Sequence, residues 1–106
     1  MAGMYQLKDL LRLAVQESAD ELLLEPDQPP RMRLQGKVRV LDGPLLSNDQ
    51  VDELLRSIAT DEQCRELELC GDARFRYAGD NLTQFNVHAQ LQQNRLRVAI
   101  RCLGPR

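Results

Sequence analysis

Strict apolar–polar alternation over residues 31–40 and again over 73–102, with a helical repeat between them, predicts an α+β domain. Its helices should pack on one face of an antiparallel or mixed sheet of about five to six strands. The 106 residues, 42% hydrophobic and 28% charged, suit one folded unit spanning 1–106 around one core. Aromatic residues are only 4%, so aliphatic side chains must fill that core and base-stacking platforms are not expected.

From Met4, apolar residues fall at Met4, Leu7, Leu11, Ala14 and Val15 with charged and amide residues between them, the pattern of an amphipathic first helix. Asp20-Glu21-Leu22-Leu23-Leu24-Glu25, closed by Pro26, suits a short buried strand. If that strand is central, all three leucines are core; if it lies at an edge, one face offers apolar surface to another subunit. Past Pro29-Pro30, Met32, Leu34, Val38 and Val40 occupy even positions and Arg31, Arg33, Gln35, Lys37 and Arg39 odd ones. Gln35-Gly36 divides this run into a hairpin, glycine tolerating the positive φ that a tight tip requires.

Ser47 with Gln50, and then Thr60 with Gln63, are two capping boxes. The first opens a helix carrying Val51, Leu54, Leu55 and Ile58; the second opens a short helix through Cys64 and Leu67 that ends before Gly71. Three strands follow, with Ala73, Phe75 and Tyr77, then Phe85, Val87, Ala89 and Leu91, then Leu96, Val98, Ile100 and Cys102 facing inward. Turns fall at Ala78-Gly79-Asp80-Asn81 and Gln92-Gln93-Asn94. Helix, strand, hairpin, two helices and a three-stranded meander together make a PAS-like order of elements.

Fourteen Lys and Arg against sixteen Asp and Glu leave a formal charge of −2, so the whole molecule has no field that attracts nucleic acid or anionic lipid. Any basic function must be local. Arg31, Arg33, Lys37 and Arg39, on the odd positions of the hairpin, form the candidate partner-binding set, suited to an acidic helix or a phosphate. The same charges also fit a solvated hairpin face balanced by Asp20, Glu21 and Glu25. Three cysteines, no basic-then-apolar leader and no apolar run of roughly 20 residues point to a cytoplasmic chain that is not inserted in a membrane.

Catalytic chemistry is hard to assemble from these residues. The only Gly-Lys is Gly36-Lys37-Val38 on the hairpin, without the Gly-x-x-x-x-Gly-Lys-Ser/Thr that cradles phosphates. His88 and Cys102 fall on neighbouring strands with no third residue to orient them, and Cys102 has core parity. Cys64, Cys70, Cys102 and His88 lack the paired spacing of a zinc site, so neither metal nor cofactor is expected.

In order along the chain, Asp20–Leu24, Pro29-Pro30-Arg31-Met32-Arg33-Leu34-Gln35-Gly36-Lys37-Val38, Asp72-Ala73-Arg74-Phe75, Phe85-Asn86-Val87-His88-Ala89, Gln92–Arg95 and Arg101-Cys102-Leu103 carry a resemblance. They are similar to the N-terminal domain of the twitching-motility (type IV pilus retraction, PilT-like) and type II secretion ATPases. The resemblance covers nearly the whole chain and rests on order and spacing rather than on any one segment. It implies a PAS-like fold whose ATP-hydrolysing motifs lie in a following domain, with Gly104-Pro105-Arg106 near that junction. The family's Leu-His-Leu is here Leu22-Leu23-Leu24, and its two arginines flanking a strand phenylalanine are Gln84 and Asn86. An amide lacks the guanidinium's fork of donors, which removes the family's reach toward a neighbouring subunit's nucleotide at these positions. Arg95 and Arg101 still match family arginines and are the nucleotide-proximal residues the resemblance implies, with Arg97 an added arginine on the Arg95 face.

The function implied is a non-catalytic protein-interaction or oligomerisation domain. Its partner would be a pilus or secretion motor ATPase, a platform protein or another copy of itself, at the cytoplasmic face of the membrane. The alternative is a PAS-like small-molecule sensor, which the purely hydrocarbon set Met32, Leu34, Val38, Val87, Val98 and Ile100 disfavours.

Overall fold

The computed structural model describes residues 5–79 and 83–105, with Gly104 and Pro105 described as backbone only. Met4, and the Asp80-Asn81 half of the turn expected after Ala78, lie outside the described residues. The elements run α1 (Leu7–Gln16), β1 (Glu21–Leu24), β2 (Arg31–Leu34), β3 (Lys37–Val40), α2 (Asn48–Arg56), α3 (Asp61–Cys70), β4 (Asp72–Ala78), β5 (Thr83–Gln92) and β6 (Arg95–Pro105).

Each terminus has a local cause. Helix α1 buries Leu7, Leu10, Leu11 and Ala14. It stops where Ser18 turns left-handed at φ 59 and the Ala19 N–H donates back to the Ala14 carbonyl at 2.8 Å. Val15, expected on the apolar stripe, lies at its margin and is exposed. Both capping boxes form: Ser47 and Gln50 exchange bonds of 3.1 and 2.8 Å, and Thr60 and Gln63 bonds of 3.1 and 2.9 Å. Gly71, at φ 74, closes α3 in the left-handed conformation.

The sheet is antiparallel throughout, in the order β3-β2-β1-β6-β5-β4. The β2–β3 and β5–β6 hairpin tips are two residues long with positive φ at each residue, 51 and 83 at Gln35-Gly36 and 52 and 64 at Gln93-Asn94, the twist that suits tight hairpins. Helix α1 packs on β1 and β6, α2 on β6, and α3 on β4 and β5. The core between helices and sheet is filled by Leu22, Leu24, Met32, Leu46, Val51, Leu55, Val87 and Ile100, all under 2% or at 2% exposure.

Two expectations are corrected by the register. A two-residue turn sets Leu34 opposite Lys37, so Met32 faces Arg39, Arg33 faces Val38 and Arg31 faces Val40. Directly paired residues share a face of the sheet, so parity reverses across the turn. Val38 and Val40 therefore leave the core and are 48% and 56% exposed. Strand β1 is central, yet only Leu22 and Leu24 are buried; Leu23 points to the other side and is half-buried.

Candidate interaction surface

With α1, α2 and α3 all on the Leu22–Ile100 side, no helix of the described residues covers the opposite face of the sheet. Its side chains fall in rows set by register. One row crosses all six strands as Arg76, Asn86, Arg101, Glu21, Arg33 and Val38. The next reads Arg74, His88, Ala99, Leu23, Arg31 and Val40. Beyond it Asp72, Gln90 and Arg97 continue toward Glu25. With Arg95 at the start of β6, seven arginines thus share this face with three acids in a chain whose overall charge is −2.

Some of these arginines are tied down. Glu25 accepts from Arg31 at 2.6 Å and from Arg97 at 3.3 Å, both from one carboxylate oxygen. Arg33 lies 3.4 Å from Glu21 and Arg74 3.8 Å from Asp72, whose other oxygen meets His88 Nε2 at 2.7 Å. Arg76 and Arg101 are exposed and have no acidic partner among the described residues. A shallow depression of about 460 Å³ lies between them, floored by Asn86, Val87 and Ala99.

The hairpin set expected to act together is split. Arg31 and Arg33 lie on the open face; Lys37 and Arg39 point to the helix side, where Arg39 pairs with Glu17 at 3.2 Å. The reversal of parity at Gln35-Gly36 is the cause. Asp20, Glu21 and Glu25 do meet the hairpin as charge balance, Asp20 by accepting the Gln35 N–H at 3.2 Å. Arg95, Arg97 and Arg101 share the open face, but Arg95 and Arg101 stand six residues apart on one strand, about 20 Å, too far to hold one phosphate together. Arg95 is instead bound to Asp27 at 3.2 Å. The meander residues Arg74 and Arg76 join this face too, and their even positions in β4, alternating with Ala73, Phe75 and Tyr77, carry the signal.

His88 and Cys102 lie on opposite faces of the sheet, which separates the imagined nucleophile and base. Burial, then Asp20 and Glu21, pushes the Cys102 thiol above its usual range, the reverse of what a nucleophile needs. Among the described residues no three His, Cys, Asp or Glu side chains converge as metal ligands, and no helix is long and apolar enough to cross a membrane. On the covered side, a cleft of about 300 Å³ runs between α1 and α2, lined by Tyr5, Leu7, Leu54, Ile58 and Tyr77. It opens at the surface and does not hollow the space between sheet and helices.

No family model matches the chain. Against known proteins it is 30% identical over 89 residues to the type IV pilus retraction ATPase PilT of Pseudomonas aeruginosa, across 84% of this chain and 26% of that protein. The type IV pilus ATPase PilU of the same organism is 25% identical over 96 residues, across 91% of this chain and 25% of its own length. The crystal structure of the pilus retraction motor PilT with bound ADP superposes with a TM-score of 0.83 and 21% identity, across 92% of this chain and 29% of that one, a likeness of fold. The chain spans about a quarter of the length of these curated relatives. Sequence and fold together relate this chain to the PilT-like pilus ATPases, as an α+β unit akin to their N-terminal domain.

Proposed function

We propose that the chain is a non-catalytic protein-interaction and oligomerisation domain, folding as one unit over residues 1–106, that docks on a pilus or secretion motor ATPase or its platform protein. The observation that carries this reading is the uncovered, arginine-rich sheet face, in a chain related to pilus ATPases. A flat row of guanidiniums over strands is a surface for carboxylates and backbone carbonyls of another protein, and it lacks the enclosure that chemistry requires. Within the 106 residues there is no Gly-x-x-x-x-Gly-Lys-Ser/Thr, so ATP hydrolysis is not expected from them. An ATP-driven partner places the domain in the cytoplasm, peripheral to the inner face of the membrane.

Arg33, Arg76 and Arg101 are the docking residues in this reading, and Arg31 supports them through Glu25. Of the two family-matched arginines, Arg101 serves as a protein contact, while Arg95 stays with Asp27. Purified chain should show no ATP turnover above blank and should bind a PilT-type ATPase saturably. Replacing Arg33 and Arg101 by Glu should weaken that binding by over about 100-fold with the fold intact. Turnover by the purified chain, or unchanged binding of the double variant, contradicts the reading.

A further inference from the structure

The chain's charge is divided between the two sides of the sheet. Against the arginine-rich open face, residues 48–70, which span α2 and α3 on the covered side, hold seven acids and two arginines. Arg56 is already shared by Asp52 at 2.9 Å and Glu68 at 3.3 Å. Asp61, Glu62 and Glu66 have no cationic partner among the described residues. Glu62, Glu66 and Leu69 recur at i, i+4 and i+7, one stripe of α3. Leu69 is 79% exposed, the most exposed of the large hydrophobic residues described.

The open face carries the complement in both respects. Val38 and Val40 are apolar anchors at the β3 end of the rows that contain Arg33 and Arg31. The spacings also agree. Glu66 and Leu69 are separated by about 4.5 Å along the helix axis, and neighbouring strands by about 4.8 Å, so Leu69 over Val38 brings Glu66 to Arg33. Glu62 then lies about 10.5 Å from Leu69, against about 14 Å from Val38 to Arg101 three strands away, a difference the long arginine side chain spans.

We propose that the open sheet face receives helix α3 of a second copy of this chain, with Glu66 on Arg33, Glu62 on Arg101 and Leu69 on Val38. The proposal rests on the open face being an interaction surface and names its occupant. Because the two patches lie on opposite sides of the sheet, each copy offers both at once. The contact is therefore heterologous, and assembly continues past the dimer toward a ring or stack.

Sedimentation velocity on the full chain tests this with three double variants: Arg33→Glu/Arg101→Glu, Glu62→Lys/Glu66→Lys, and Lys37→Glu/Arg39→Glu as a control of equal charge change on the other side. At low salt the wild type should associate beyond the dimer as concentration rises, and at least about tenfold more weakly near 1 M salt, where charges are screened beyond about 3 Å. The first two variants should each be monomeric alone and should associate when mixed, since the first keeps a native acidic helix for the second's native basic face and offers an acidic face to the second's basic helix. The control should behave as wild type. A monomeric wild type at low salt, a mixture that stays monomeric, or a control that dissociates as fully as the first variant overturns the proposal. A monomeric wild type that still binds a PilT-type ATPase through Arg33 and Arg101 assigns the face to the motor and leaves the functional reading standing.

Discussion

Reversing two charges on the open face should separate binding from folding in a way that reversing two charges on the same hairpin's other side does not. In Arg33→Glu/Arg101→Glu, the fold loses the 3.4 Å pair with Glu21, whose partners are 45% and 27% exposed, worth about 0.5 kcal/mol at that exposure. A carboxylate set beside Glu21 adds about 0.5 kcal/mol of like-charge repulsion on each side. In Lys37→Glu/Arg39→Glu, the 3.2 Å Arg39–Glu17 pair, 60% and 38% exposed, is lost for about 0.5 kcal/mol. Both variants should thus stay folded, the first giving up about 1.5 and the second about 0.5 kcal/mol of the ~5–15 kcal/mol that holds a small domain. Binding should diverge. Each open-face reversal replaces an attraction by a repulsion, about 1.5 kcal/mol per site at a partly desolvated rim, so about 3 kcal/mol together, a loss of over about 100-fold in Kd. Thermal melts by circular dichroism and a titration against a PilT-type ATPase read the two quantities. Equal loss of affinity in both variants would refute the reasoning, because it would mean that net charge and not the face carries the interaction.

Other perturbations test the frame that builds this face. Gly71→Ala puts a side chain at φ 74 with its Cβ 3.1 Å from the Leu91 carbonyl oxygen, and should cost about 1–2 kcal/mol and lower Tm by roughly 5–15 °C; an unchanged Tm would deny the left-handed cap. Met32→Ala, at a fully buried site on β2, should cost about 2–5 kcal/mol in a denaturant titration, and a loss under about 1 kcal/mol would place Met32 outside the core. Iodoacetamide at pH 8 should alkylate exposed Cys70 well before Cys102, identified by peptide mass spectrometry. The folded state holds the Cys102 proton more tightly than the unfolded chain, so its contribution to stability is full below the ordinary thiol range and falls as pH rises through the raised value. Equal rates at Cys70 and Cys102 would contradict that burial.

Features set by nearest neighbours were legible in the sequence. Ser47 with Gln50, Thr60 with Gln63, Gly71, Gln35-Gly36 and Gln93-Asn94 each act within a few residues, and each forms as its composition dictates. Alternation, by contrast, reports two faces without saying which is covered. Val38 and Val40 read as core because they continue the parity of Met32 and Leu34, yet the two-residue turn at their centre reverses that parity. Counting residues across the turn would have placed Arg31 and Arg33 apart from Lys37 and Arg39. Leu23 was hidden inside a run of three leucines that gives no alternation at all. The row from Arg76 through Arg101 to Arg33 depends on the pairing of β1 with β6, residues about eighty apart in sequence, and no local pattern encodes that register. Resemblance supplied the family, since the motifs that carry it lie in order along the chain; the open face required the sheet.

The most direct test is a photo-crosslinker placed at Asn86, between Arg76 and Arg101 on the open face, compared with one at Lys8 on the exposed side of α1, each mixed with purified PilT-type ATPase. Crosslinks to the ATPase, or to a second copy of the chain, from Asn86 and none from Lys8 are the predicted result. Crosslinks from Lys8 with none from Asn86 would show that the arginine-bearing face is merely solvated and that the interaction lies on the helices.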